Sequence, residues 1–226
     1  MDSAQGLVLF GDVIRSRKDR LGSTIWLRDL VSELDDAYGE RRLAPFGFTQ
    51  GDELQGLLDL EADPLVAVLR AALGPAARPI RWACIVGPVD PGEGPATQRT
   101  GPVFVAARDA IDAARAAHER LVVRTGRSDA DELLAGMTPA LADLLDDLTP
   151  RQRVVVKLAL IDGLRQSEVA DLLKVRRATI SVSFARARVQ SIQRLVAAIR
   201  RVYGNASTGS ATAVDAPKGE RSCPSP

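Results

Sequence analysis

Histidine occurs once and cysteine twice in these 226 residues, and aromatic side chains make up only 4% of them. One His and two distant Cys do not give the ligand spacing of a zinc site. With Cys84 in an apolar stretch and Cys223 in a polar one, a structural disulfide is not expected either. The lone His118 sits among charged residues at a helix end and reads as a solvated surface residue rather than a catalytic base. Long apolar runs are missing too, since none reaches the roughly 18 residues that a membrane span needs. Asp2, Asp12 and Asp19 interrupt the first 20 residues, where a signal peptide would carry its apolar core. These absences predict a cytoplasmic protein without a membrane partner.

Charge is plentiful and of both signs, for a net of +1, but it is unevenly spread. Residues 151–203 hold 12 Lys or Arg against 3 Asp or Glu, a net of +9, whereas residues 1–150 hold 16 against 24, a net of −8. A basic block behind an acidic front is the pattern of a nucleic-acid-binding module joined to a unit that does not bind nucleic acid. The alternative is a helical bundle with a solvated basic face.

The acidic front carries a Gly-Asp pair twice. Gly11-Asp12 directly follows the apolar run Leu7-Val8-Leu9-Phe10, and Gly51-Asp52 lies within Phe48-Thr49-Gln50-Gly51-Asp52-Glu53. Carboxylates just past two neighbouring strands can share a hard cation such as magnesium, which takes oxygen ligands and completes its shell with substrate phosphates. Gly and Asp are also common turn formers, so a structural role for both stays open.

Periodicity and turn residues place the elements. Residues 7–10 read as a buried strand, and 23–38 as a helix capped by Ser23 or Thr24 with Leu27, Leu30, Val31 and Leu34 on one face. Residues 46–49 and 53–58 form two short strands of a hairpin. A helix over 64–73 stops at Gly74-Pro75, a strand covers 79–86, and an alanine-dense helix over 103–120 leads to an edge strand at 121–124. The order βαββαβ predicts an α+β chain. Its first domain, residues 1–126, is expected to be a ferredoxin-like palm with helices on one face of an antiparallel sheet. Residues 128–148 hold six acids and no base, and predict two short helices in a linker over 127–148. Thr149-Pro150 supplies a cap followed by proline at the first helical position. Helices over 150–161, 166–173 and 177–202 then make an all-α domain, 149–203. From 204 to 226 Ser, Thr, Gly, Ala and Pro dominate, which predicts a disordered tail.

Several of these segments resemble known families. Val8-Leu9-Phe10-Gly11-Asp12-Val13-Ile14 resembles the first metal-binding strand of class III nucleotidyl cyclases, and Thr49-Gln50-Gly51-Asp52 resembles their second. Arg81-Trp82-Ala83-Cys84-Ile85-Val86-Gly87-Pro88-Val89 is similar to the cyclase strand ending in Gly-Pro-Val. Gly101-Pro102-Val103-Phe104-Val105-Ala106-Ala107-Arg108 is similar to the helix start that carries a catalytic Asn and Arg. The chain resembles the SatD family more closely. Gly11-Asp12, Ser16-Arg17, Gly51-Asp52-Glu53, Gln55-Gly56 and Gly101-Pro102 with Ala107-Arg108 follow that family's order over about residues 6–125. The cyclase resemblance implies Asp12 and Asp52 as magnesium ligands, with the Val13 carbonyl as a third. Glu53 is either a further ligand or a residue of the opposite face, because alternate strand residues face opposite ways. Arg108 would meet phosphates, as guanidinium suits bidentate contact, and Ser16 and Arg17 would join it at the same mouth. For Arg17 a surface ion pair is the alternative. Phe104 stands where cyclases place the ribose-orienting Asn, and Phe48 where adenylyl cyclases carry the base-recognising Lys. The implied role is therefore binding of a nucleotide or other phosphorylated ligand with a divalent metal rather than cyclisation. The alternative is a metal-dependent enzyme acting on a nucleoside triphosphate.

Residues 149–190 resemble the helix-turn-helix of sigma factor region 4 and LuxR-type regulators. The resemblance rests on Leu148-Thr149-Pro150-Arg151-Gln152-Arg153, Ser167-Glu168-Val169-Ala170-Asp171-Leu172-Leu173 and Val175-Arg176-Arg177-Ala178-Thr179-Ile180-Ser181. Val169, Leu172 and Leu173 on the supporting helix, and Ile180, Phe184 and Ala187 on the recognition helix, are expected inside, with small Ala170 permitting the crossing. The resemblance implies double-stranded DNA as partner, with Arg176, Arg177, Thr179, Ser181 and Ser183 facing the major groove and Arg186 and Arg188 on phosphates. Lys174 replaces the usual turn Gly, and Arg165 the usual capping Ser or Thr. The stripe Ile192, Leu195, Val196 and Ile199 either makes a homodimer suited to a two-fold operator or packs on the chain's own acidic helices. The expectation is a DNA-binding transcriptional regulator whose SatD-like front domain senses a phosphorylated ligand with magnesium.

Overall fold

A computed structural model describes residues 4–14, 19–49, 52–74, 76–90 and 92–208. Ser16, Arg17 and Gly51 of the motifs above, and residues 209–226 of the expected tail, lie outside these. The strands are β1 (Gln5–Val13), β2 (Arg42–Phe48), β3 (Glu53–Leu58), β4 (Ile80–Pro88) and β5 (Leu121–Arg124). The helices are α1 (Arg20–Tyr38), α2 (Leu65–Leu73), α3 (Pro102–Ala116), α4 (Ser128–Asp146), α5 (Pro150–Leu160), α6 (Gln166–Leu172), α7 (Arg177–Arg186) and α8 (Val189–Thr208). No described helix is long and apolar enough to cross a membrane.

The apolar run of β1 is explained by its place in the sheet. Strand order is β2-β3-β1-β4-β5, so β1 is central, antiparallel to both β3 and β4, while β5 joins β4 in parallel. Leu7 and Leu9 enter a core with Trp82 and Cys84 of β4, Leu27, Leu30 and Leu34 of α1, and Leu65 and Leu69 of α2. Val8 and Phe10 enter a second core on the other face with Ala83, Ile85 and, from α3, Val103, Ala107 and Ile111. A strand covered on both faces has no polar side to show, hence the unbroken run. Placing all helices on one face holds for α1 and α2 but not for α3. Burial pushes the Cys84 thiol well above its ordinary pKa, so it sits in the core as a small apolar side chain.

Local chemistry shifts several predicted boundaries. Helix α1 starts before Ser23, because Asp19 is its N-cap and accepts from the Gly22 N–H at 3.0 Å. The 128–148 region is one helix of 19 residues with Pro139 inside, not two short ones, and Leu134, Leu141 and Leu145 place it in the first core rather than in a bridge. The predicted helix over 177–202 is instead two, parted at Ala187 and Arg188, where Arg188 takes φ 50°. Helix α8 runs through 204–208, so those residues are helical rather than tail.

The helical block closes onto the sheet through α8. Ile192, Val196, Ile199 and Tyr203 lie in the same core as α4 and β1, with Leu195 packed against it. That resolves the stripe in favour of packing on the acidic helix and removes the reason to predict a homodimer from it. Past the core, Arg200 Nε meets Asp63 Oδ2 at 2.7 Å, and Tyr203 donates its hydroxyl to the Leu60 carbonyl at 3.3 Å.

Candidate nucleic-acid interface

The sheet register first decides what the Gly-Asp motif does. Asp12 of β1 lies opposite Glu53 of β3 and Arg81 of β4, so the three share the α3 face, which settles the orientation left open for Glu53. Asp12 is 8% exposed. Its Oδ2 accepts from Arg81 Nη1 at 3.0 Å and from Arg115 Nη2 of α3 at 3.1 Å. Arg81 also donates through Nε to the Glu119 carbonyl, and Arg115 to Asp112. The bond to Asp12 raises the Arg115 pKa further. Arg108 stands over the Phe10 ring at 5.5 Å with Glu53 Oε2 3.5 Å away. Asp52 contributes its backbone carbonyl, which accepts from Val13 N at 3.0 Å.

Two of the predicted magnesium ligands, Asp12 and Glu53, face arginines. The Oδ2 atom of Asp12 already accepts from two guanidiniums, and a dication beside it would face Arg81 and Arg115 as like charges. Among the described residues no group of three or more His, Cys, Asp or Glu is placed to hold a metal. Gly11 is needed for packing, since a Cβ there would meet Ile80 and Trp82, and a Cβ at Gly56 would run into the Phe46 ring. Phe104 and Phe48, at the two positions that depart from the cyclases, are partly buried and pack against the cores on opposite faces.

The helix-turn-helix is built on better defined ends than its sequence suggested. Helix α5 has a reciprocal cap: Thr149 Oγ1 accepts from Gln152 N at 3.3 Å, and Gln152 Oε1 accepts from Thr149 N at 2.9 Å. At α6 the N-cap Arg165 has no side-chain acceptor, so Glu168 does the capping. Its carboxylate accepts from the Arg165 backbone N–H and from the guanidinium, both at 2.7 Å, and this pairing holds the Glu168 carboxyl below its usual range. Lys174 in the turn takes φ 54°, the left-handed conformation that glycine usually supplies. Val169, Ala170 and Ile180 are buried with Leu158 where α6 crosses α7, and Phe184 packs on them. Leu172 and Leu173, expected inside, are exposed instead.

Of the predicted DNA contacts, Arg176, Arg177, Thr179, Ser181 and Arg186 all lie exposed on or just before α7. Ser183 differs, being half-buried with its hydroxyl donating to the Thr179 carbonyl at 2.9 Å. A groove of about 650 Å³ runs between α7 and the start of α5, lined by Arg151, Gln152, Thr179, Val182 and Arg186. Arg151 and Gln152 were not among the predicted contacts, although a basic residue in the first turn after Thr149-Pro150 is a signal in the sequence for this groove. Among the described residues Arg151, Lys174, Arg176, Arg177, Arg186 and Arg188 form no ion pair, and α6 holds the block's one internal pair, Glu168 with Arg165.

A helix crossing of this form with an exposed, unneutralised basic surface defines the DNA-binding helix-turn-helix class. Within that class, the family Sigma-70, region 4 matches residues 139–190, from the second half of α4 to the start of α8. No curated protein matches the chain. Among solved structures, the regulator of polyketide synthase expression from Bifidobacterium adolescentis aligns at 15% identity over 89% of this chain and 82% of its own. The TM-score of 0.27 is too low to carry a likeness of overall architecture.

Proposed function

We propose that the protein is a transcriptional regulator that binds double-stranded DNA through α6 and α7. Helix α7 lies in the major groove, Arg176 and Arg177 at its N-terminal end read base edges, and Arg186 and Arg188 meet phosphates. The observation that carries this is the set of exposed cations around α7 without carboxylate partners among the described residues. The sigma-70 region 4 match over the same helices supports it. The front unit is read as a SatD-like, cyclase-related palm, supported by the β2-β3-β1-β4 order with α1 and α2 packed on one face. With Asp12 engaged by Arg81 and Arg115, that unit serves as the body on which the DNA-binding helices dock rather than as a magnesium-dependent catalyst.

The test is capture of genomic fragments by the full chain, sequencing, and anisotropy on the enriched duplex at several salt concentrations. The enriched duplex is expected to bind at least about tenfold more tightly than its shuffled counterpart at about 150 mM salt, with affinity falling steeply as salt rises. Equal affinity for the two duplexes sinks the reading.

A further inference from the structure

Trp82, Val68, Arg78, Arg120, Asp146 and Arg153 line a cavity of about 310 Å³ where β4 and α2 meet α4 and α5. That volume is at the small end of known ligand sites. A second cavity of about 510 Å³ shares Ala77 and Arg153 with it and continues along α5 past Val154 and Lys157.

Its polar lining is unbalanced. Trp82 Nε1, Arg120 Nε and Arg153 Nε are buried N–H donors with no acceptor among the described residues, and Trp82 as a whole is 2% exposed. Native interiors leave few such donors unmet, and Arg153, which lines both cavities, carries one of them. The cavity's one carboxylate is committed, as Asp146 faces the two terminal nitrogens of Arg120 at 2.7 and 3.2 Å. Arg78 is committed to Asp19 at 2.6 Å. The Arg153 side chain, half-buried on α5, has neither a hydrogen bond nor an ion pair among the described residues. Burial raises the Asp146 carboxyl pKa even though Arg120 and Arg153 pull it down. Val68 and Leu145 make an apolar wall beside them.

We infer that this cavity binds a small organic carboxylate with an apolar body of one or two rings, its oxygens accepting from the Arg153 guanidinium. A guanidinium matches a carboxylate in shape and charge, and the apolar wall favours an organic anion over a bare inorganic one. The cavity is walled by the sheet on one side and by α5, the first helix of the DNA-binding block, on the other. Occupancy therefore fixes how that block seats on the sheet. That occupancy changes DNA affinity rests on the DNA-binding reading above.

Calorimetry on the full chain without DNA tests the site, with 2-naphthoate as probe and 2-naphthamide as its neutral isostere. Saturable heat is expected from the acid only. Its dissociation constant should rise at least about tenfold in Arg153→Gln, which removes the charge, and in Ala142→Leu, which fills the cavity, with circular dichroism reporting that each variant is folded. No saturable heat with 2-naphthoate, equal binding of the amide, equal binding of inorganic phosphate, or undiminished binding by folded Arg153→Gln would each overturn the site. Should a variant fail to fold, the acid and amide comparison on the wild type still decides. For the coupling, saturating 2-naphthoate is expected to shift the affinity for the enriched duplex at least about threefold in the wild type and not in Arg153→Gln. Heat with unchanged DNA affinity overturns the coupling alone.

Discussion

In the sheet unit Arg41, Arg42, Arg70, Arg78, Arg81, Arg108 and Arg115 each face a carboxylate within 3.5 Å. Around the recognition helix Arg176, Arg177 and Arg186 face none among the described residues. The same side chain closes the fold in one region and is left over for a partner in the other. Net charge by segment hints at this division, but pairing shows it. The acidic front is not simply a unit lacking cations, for these seven arginines are held by its own carboxylates.

Removing one carboxylate from the paired region should have the largest effect. Asp12→Ala leaves Arg81, whose side chain is 10% exposed, buried without its anion and is expected to cost about 3–5 kcal/mol in urea unfolding, with Asp12→Asn as a size-matched control. If Asp12→Ala is as stable as the wild type in magnesium-free buffer, the paired half of the comparison breaks. On the unpaired side, Arg177→Ala is expected to weaken binding to the enriched duplex by about 1–3 kcal/mol while moving stability by no more than about 0.5 kcal/mol. A variant that loses stability but not DNA affinity would show Arg177 to be a fold residue after all.

Two smaller changes sharpen the picture of the helix-turn-helix itself. Lys174→Gly should raise stability by about 0.5–1 kcal/mol in thermal unfolding, because glycine holds φ 54° without strain, and a loss would show the lysine stem to be packed. Glu168→Gln addresses the single ion pair of α6. The folded-state pKa of Glu168 lies below its ordinary value, so its contribution is present above that ordinary value and fades as pH falls through the folded one. Replacing it should flatten the loss of stability between about pH 5 and pH 3, and an unchanged acid limb would mean that the Glu168 cap does not matter.

Much of the fold was readable because its signals are local. The strand at Leu7-Val8-Leu9-Phe10, the hairpin into β3, the Thr149-Pro150 start and the helix-turn-helix all rest on residues close in sequence. Distant partners were unreadable. Asp12 meets Arg81 and Arg115 across 69 and 103 residues, so without the register a locked carboxylate and a metal ligand look alike. The face chosen by α3 was hidden because its buried side is mostly alanine, Ala107, Ala110 and Ala114, and alanine does not distinguish one sheet face from the other. The break between α7 and α8 was hidden as well, since Ala187 and Arg188 make it without glycine or proline.

The return of α8 to the sheet also sets an order of assembly. Arg200 reaches Asp63 across 137 residues, and Tyr203 reaches Leu60 across 143. A ribosome making this chain delivers all five strands long before the helix that seals their α1 and α2 face. Until Ile192, Val196 and Ile199 emerge, the side of α4 that packs on α8 has no cover, and the nascent protein shows apolar surface to chaperones and proteases. The recognition helix leaves the ribosome before that seal forms, so the finished body and the ability to grip DNA firmly should arrive together, with the last helix made.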